Sequence, residues 1–91
     1  MTTVEHQVDI NNKLGLHARA ATKLAQLSMK FKAKITLELE GNQADASSIM
    51  AVMLLAGAKG KSVKIIAKGE DAEQALKSIC QLIVDKFGES E

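Results

Sequence analysis

Aromatic side chains are nearly missing from this sequence. Phe31 and Phe87 are the only two among 91 residues, with no tryptophan or tyrosine. Proteins that hold single-stranded nucleic acid by base stacking need several such rings, so that class is excluded. Cysteine is as scarce: Cys80 stands alone, which rules out an intramolecular disulfide and any multi-cysteine zinc site. Excess charge is missing too. Twelve Lys and Arg against eleven Asp and Glu leave a formal net charge of +1, without the clustered basic face that nucleic acid or anionic lipid requires. The start, "MTTVEHQVDI", is polar and alternating, unlike a signal peptide, and no apolar run is long enough to span a membrane. A cytoplasmic protein is expected, with no nucleic-acid or membrane partner, no cofactor and no metal. His6 and Cys80 together offer too few ligands for one.

What remains is ordinary globular composition, 46% hydrophobic and 25% charged. Residues 1–91 carry no repeat, linker or low-complexity run and suit one small domain. "VEHQVDI" alternates, with Val4, His6, Val8 and Ile10 on one face, as in a half-buried strand. Loop chemistry follows from Asn11 to Gly15, then a helix from about Ala18 to Lys30. "AKITLEL" alternates again, and Gly41-Asn42 predicts a hairpin into a short strand near Gln43 to Ala46. Ser47 or Ser48 offers an N-cap for a helix reaching about Ala56, stopped by Gly57 and Gly60. "KSVKIIAKG" predicts a fourth strand, and Asp71 a cap for a long last helix with Ile79, Ile83 and Phe87 on its apolar side. The order is β-α-β-β-α-β-α, an α+β fold. Strands polar on one face predict a four-stranded antiparallel sheet with three helices on the other.

"NKLGLHARAATKLAQL", residues 12–27, holds the only arginine of the chain, Arg19, two positions after His17, where the first helix begins. An imidazole there lies beside unpaired backbone N–H groups and the positive end of the helix dipole, a setting that receives phosphate well. The same dipole disfavours a positively charged ring and so leaves a nitrogen lone pair free to attack. Arg19 adds a planar, permanently charged fork for phosphate oxygens. Gly15 allows the sharp turn that exposes His17. His6, in an alternating strand with no arginine or helix start beside it, reads as a satisfied, partly buried histidine. Cys80 reads as a buried structural thiol.

"GLHAR" after a first strand resembles the phosphorylation segment of HPr, the histidine phosphocarrier family of the bacterial phosphotransferase system. "SSIMAVMLLAGAKG", residues 47–60, resembles the regulatory-serine helix of the same family, at the family's separation and without a gap. The resemblance covers essentially the whole chain. It implies an open-faced β-sandwich of sheet order 1-4-2-3 and a stoichiometric carrier rather than an enzyme. By the same resemblance His17 is phosphorylated on Nδ1 by Enzyme I, which draws on phosphoenolpyruvate, and passes the phosphate to a histidine of a IIA-type protein. Arg19 becomes the phosphate contact, and Leu16, Ala20, Ile49, Met50 and Met53 the docking surface. Ser48 matches a serine that a dedicated kinase phosphorylates in some bacteria, although a serine before an apolar run is also an ordinary N-cap. Sugar-branch carriers read His-x-Arg-Pro, and Ala20 stands where that proline would fall. "NKLGLHARA" is accordingly more similar to nitrogen-branch members, whereas the regulatory helix is more similar to the sugar branch. A non-phosphorylated regulatory module of the same fold, as in Crh-like relatives lacking the active histidine, is disfavoured because His17 and Arg19 are both present. A monomer is the default state.

The second helix is apolar almost all round, although a helix on a one-sided sheet should expose a polar stripe. Met50, Met53 and Leu54 are therefore expected at the surface beside His17, where flexible methionines suit a protein that must fit several partners.

Overall fold

The computed structural model describes residues 2–89. Alternating strands and amphipathic helices fold in the expected order: β1 (Thr2–Asp9), α1 (Ala18–Ser28), β2 (Lys34–Leu39), β3 (Asn42–Asp45), α2 (Ile49–Leu54), β4 (Ser62–Gly69) and α3 (Ala72–Val84). A single 3-10 turn, Lys86–Gly88, follows α3.

The sheet runs β1-β4-β2-β3, and every neighbouring pair is antiparallel. β4 pairs along its whole length with β1, from Thr2 opposite Gly69 to Asp9 opposite Ser62. On its other side Lys68 faces Lys34 and Ile65 faces Leu37. Period-two alternation puts Ile35, Leu37, Leu39, Val63, Ile65 and Ala67 on the buried face. Leu24 of α1, Val52 of α2 and Ile79 and Ile83 of α3 close over them in one hydrophobic cluster. Thr36, Glu38, Lys64 and Ile66 lie on the more open face.

Several local expectations are corrected. α1 stops at Ser28 and α2 at Leu54, both shorter than the apolar pattern suggested. Ala56, in the left-handed region at φ 56°, turns the chain before Gly57 is reached. Asp71 occupies the N-cap position of α3 but does not cap it. Its carboxylate accepts instead from Lys32 N at 2.9 Å and Ala33 N at 2.8 Å, tying the α1–β2 turn to the start of α3. Phe87 does not continue the apolar stripe of α3. It is fully buried from the turn beyond the helix, at φ 56°. His6, expected to be partly buried, is exposed, and Cys80, expected to be buried, is only half-buried: both line a groove of about 480 Å³ between the edge strand β1 and α3. Partial burial pushes the Cys80 thiol up.

Candidate functional site

The site is built on the loop between β1 and α1. Asn12 is completely buried, and its Nδ2 donates to the Gly15 carbonyl at 2.9 Å. That same carbonyl accepts from His17 N at 3.0 Å, so the loop folds tightly onto itself. Gly15 sits at φ +65°, and a Cβ added there would lie 2.1 Å from the Gly57 carbonyl oxygen. Only glycine meets both demands. The Gly57 carbonyl accepts from Leu16 N at 2.8 Å, which joins the chain after α2 to the residue before His17.

His17 is the N-cap of α1, at φ −80° and ψ 178°. Its carbonyl accepts from Ala21 N at 2.8 Å and opens the helix, while its side chain makes no capping bond. No acidic side chain of α1 itself occupies its first turn, so any negative charge at the positive end of this helix comes from elsewhere in the chain. The imidazole is 23% exposed. Its Nε2 lies 2.5 Å from Oε2 of Glu89, and Nδ1 has no hydrogen-bond partner among the described residues. The other oxygen of Glu89 accepts from Asn12 Nδ2 at 3.0 Å. Burial would push the Glu89 carboxyl up, but the hydrogen bonds from Asn12 and His17, with the charges of His17 and Arg19, outweigh it and hold the group below its ordinary value. Arg19 is exposed on the first turn of α1, near enough to Glu89 for its charge to act on that carboxylate.

α2 carries the second half of the surface. Ser48 Oγ accepts from Ala51 N at 3.3 Å, so Ser48 and not Ser47 caps this helix. Ser47 donates its hydroxyl to Asp45 Oδ1 at 2.6 Å. Val52 is buried, whereas Ile49, Met50, Met53 and Leu54 are exposed, Met50 by 71%. The expected apolar surface is present.

Two docking assignments are corrected. Leu16 is 5% exposed and Ala20 not at all. Leu16 packs against the Gly57 backbone, and Ala20 lies on the inward side of α1 within the core. A partner cannot bury area that is already buried. Leu14, three residues before His17, is instead exposed by 67%; its signal was an apolar side chain inside a polar loop. Glu89 and Asn12 were missed as well. Glu89 had no readable signal, being 72 residues from His17, and Asn12 looked like turn chemistry.

An antiparallel sheet covered on one face by three helices, with a histidine at an uncapped helix start beside an exposed apolar helix, is the layout of a small histidine phosphocarrier. Residues 4–85 match the family model for the PTS HPr component phosphorylation site. The chain is similar to phosphocarrier protein NPr of Shewanella violacea, 48% identical over 90 residues and covering 99% of each chain. It is 42% identical to phosphocarrier protein HPr of Xylella fastidiosa, over 94% of this chain and 97% of the relative. The solved HPr of Thermoanaerobacter tengcongensis superposes with a TM-score of 0.92 at 41% identity, over 97% of this chain and 99% of that one. The chain belongs to the HPr family of phosphocarrier proteins, which carry phosphate and are not enzymes in their own right.

Proposed function

We propose that this protein accepts a phosphoryl group on Nδ1 of His17 from Enzyme I and hands it to a histidine of a IIA-type protein in the nitrogen-related branch. The observation that carries the reading is the start of α1: an imidazole with Nε2 engaged, Nδ1 without a hydrogen-bond partner among the described residues, and an N-cap side chain that makes no capping bond. In the step, the Nδ1 lone pair forms a bond to phosphorus while the bond from phosphorus to the donor breaks, its electron pair staying on the donor. In the neutral ring with its hydrogen on Nε2, opposite the Glu89 carboxylate, Nδ1 carries the lone pair and no proton has to leave it first. The N–H groups of the first turn and the Arg19 guanidinium are placed to receive the phosphoryl oxygens. Ile49, Met50, Met53, Leu54 and Leu14 supply an apolar surface that donor and acceptor would cover in turn.

The nitrogen branch is supported by the match to NPr and by Ala20 in the position after Arg19. The similarity to HPr of Xylella fastidiosa keeps the sugar branch as the second reading. Ser48 is a weaker candidate for regulation, because a kinase would have to withdraw its oxygen from the Ala51 N–H that it caps. Monomeric, cytoplasmic action completes the proposal; among the described residues no helix is long and apolar enough to cross a membrane.

Incubation with phosphoenolpyruvate and Enzyme I, followed by intact mass, is expected to show one added phosphate that is acid-labile and base-stable. His17→Ala removes it and His6→Ala does not. Phosphate retained in the His17 variant overturns the assignment. Titration of the phosphorylated chain with IIA proteins of both branches decides the acceptor.

A further inference from the structure

The end of the chain returns to His17 along an unfavourable backbone path. Lys86, Phe87 and Gly88 all lie in the left-handed region, at φ 57°, 56° and 78°, although two of them carry side chains that disfavour it. Several interactions hold this turn in place. Phe87 is fully buried, and its carbonyl accepts from Lys23 Nζ of α1 at 2.5 Å. Gly88 N donates to the Asp85 carbonyl and Glu89 N to the Lys86 carbonyl. The result is that Glu89 lies with one oxygen on the buried Asn12 amide and the other on His17 Nε2.

A neutral imidazole carries one ring proton, and which nitrogen holds it is set by the partner of the other. An ionised carboxylate has no proton to give and can only accept. Opposite Glu89, Nε2 must therefore bear the hydrogen, which leaves the lone pair on Nδ1. Asn12 prevents the carboxylate from rotating away, because the same Nδ2 that holds Gly15 in the loop also holds Glu89.

We propose that Glu89 is a positioning residue for phosphoryl transfer, fixing both the tautomer and the rotation of the His17 ring so that Nδ1 is presented as the nucleophile. This rests on His17 being the phosphate acceptor. The left-handed turn at Lys86–Gly88 and the buried Phe87 are the anchor that keeps this carboxylate in reach.

The test uses the full, unphosphorylated chain with ¹⁵N-labelled histidine in mildly alkaline buffer. In the parent protein the His17 ring should show Nε2 protonated and Nδ1 bare. In Glu89→Ala both nitrogens should move toward the mixed pattern of the exposed His6 ring. The same variant should be phosphorylated by Enzyme I with kcat lower by about tenfold and KM within about twofold, because the ring is no longer aligned. Glu89→Gln keeps an acceptor oxygen and should restore the tautomer and most of the rate. Unchanged ring-nitrogen shifts in Glu89→Ala overturn the proposal, and so does a shifted tautomer with an unchanged rate. If the parent protein takes no phosphate on His17, the functional reading fails instead, and the ring spectra still report on Glu89.

Discussion

Helices α1 and α2 both follow a residue in extended conformation, His17 in one case and Ser48 in the other, and only Ser48 folds its side chain back onto its own helix. The serine oxygen satisfies Ala51 N, so the positive end of α2 is partly used within the protein. The histidine ring turns away to Glu89 and makes no capping bond to the first turn of α1. α3 is a third variant: its Asp71 gives its carboxylate to the backbone of Lys32 and Ala33. Identical helix physics thus yields an end capped by its own serine, an end whose first side chain is committed to a neighbouring loop, and an end whose first side chain is committed to Glu89. The difference is made by what the first side chain does.

Removing the geometry that opens α1 should have the largest effect. Gly15→Ala combines a left-handed backbone with a Cβ 2.1 Å from the Gly57 carbonyl, and should cost about 2–4 kcal/mol. Thermal melting would show a fall of roughly 4–8 °C per kcal/mol; an unchanged midpoint would mean the loop relaxes without loss. Next comes the surface of α2. Met50→Glu should leave the melting temperature nearly unchanged, since Met50 is exposed, while weakening Enzyme I binding about tenfold, or 1.4 kcal/mol. Unaltered affinity would detach this helix from docking. Ser48→Ala removes the cap of α2 and should cost about 1 kcal/mol without slowing phosphorylation of His17. A melting curve with a phosphorylation time course separates the two effects, and slowed transfer at full stability would make Ser48 part of the site.

The smallest effect concerns the start of α3. Hydrogen bonds from Lys32 N and then Ala33 N hold the Asp71 carboxyl below its ordinary value, against the opposing effect of burial. A depressed carboxylate stabilises the fold fully above the unfolded aspartate value of about 3.9, and the contribution is lost as pH falls through the lower folded value. Asp71→Asn should flatten the decline of stability in that acid range, as followed by denaturant melts at several pH values. An identical acid slope would show that another carboxylate governs it.

Much of this arrangement was legible because it depends on short-range pattern. Alternation in "VEHQVDI" and "AKITLEL" marks strands, and an apolar helix with no polar stripe marks Met50 and Leu54 as exposed. Gly15 beside His17 marks the sharp turn. What was not legible depends on distant neighbours. Whether Leu16 and Ala20 face outward is decided by Gly57 and by the packing of α1, not by their own positions. His6 alternates with buried residues, yet β1 is an edge strand over which α3 leaves a groove, and the ring stays exposed. Glu89 reaches His17 only because Lys86 and Phe87, ahead of Gly88, adopt left-handed conformations that their side chains disfavour and that no local pattern marks.

The central claim is that the open start of α1 and the bare nitrogen of His17 form one phosphoryl site. The most direct measurement is a ³¹P and ¹⁵N spectrum of the chain phosphorylated through Enzyme I, recorded with its backbone amides. The account predicts phosphorus coupled to Nδ1 of His17, with the amide protons of Ala18, Arg19 and Ala20 moving far more than those of Ile49, Met50 and Ala51 behind the Ser48 cap. Phosphorus on Nε2 or on His6, or equal responses at the two helix starts, would contradict it.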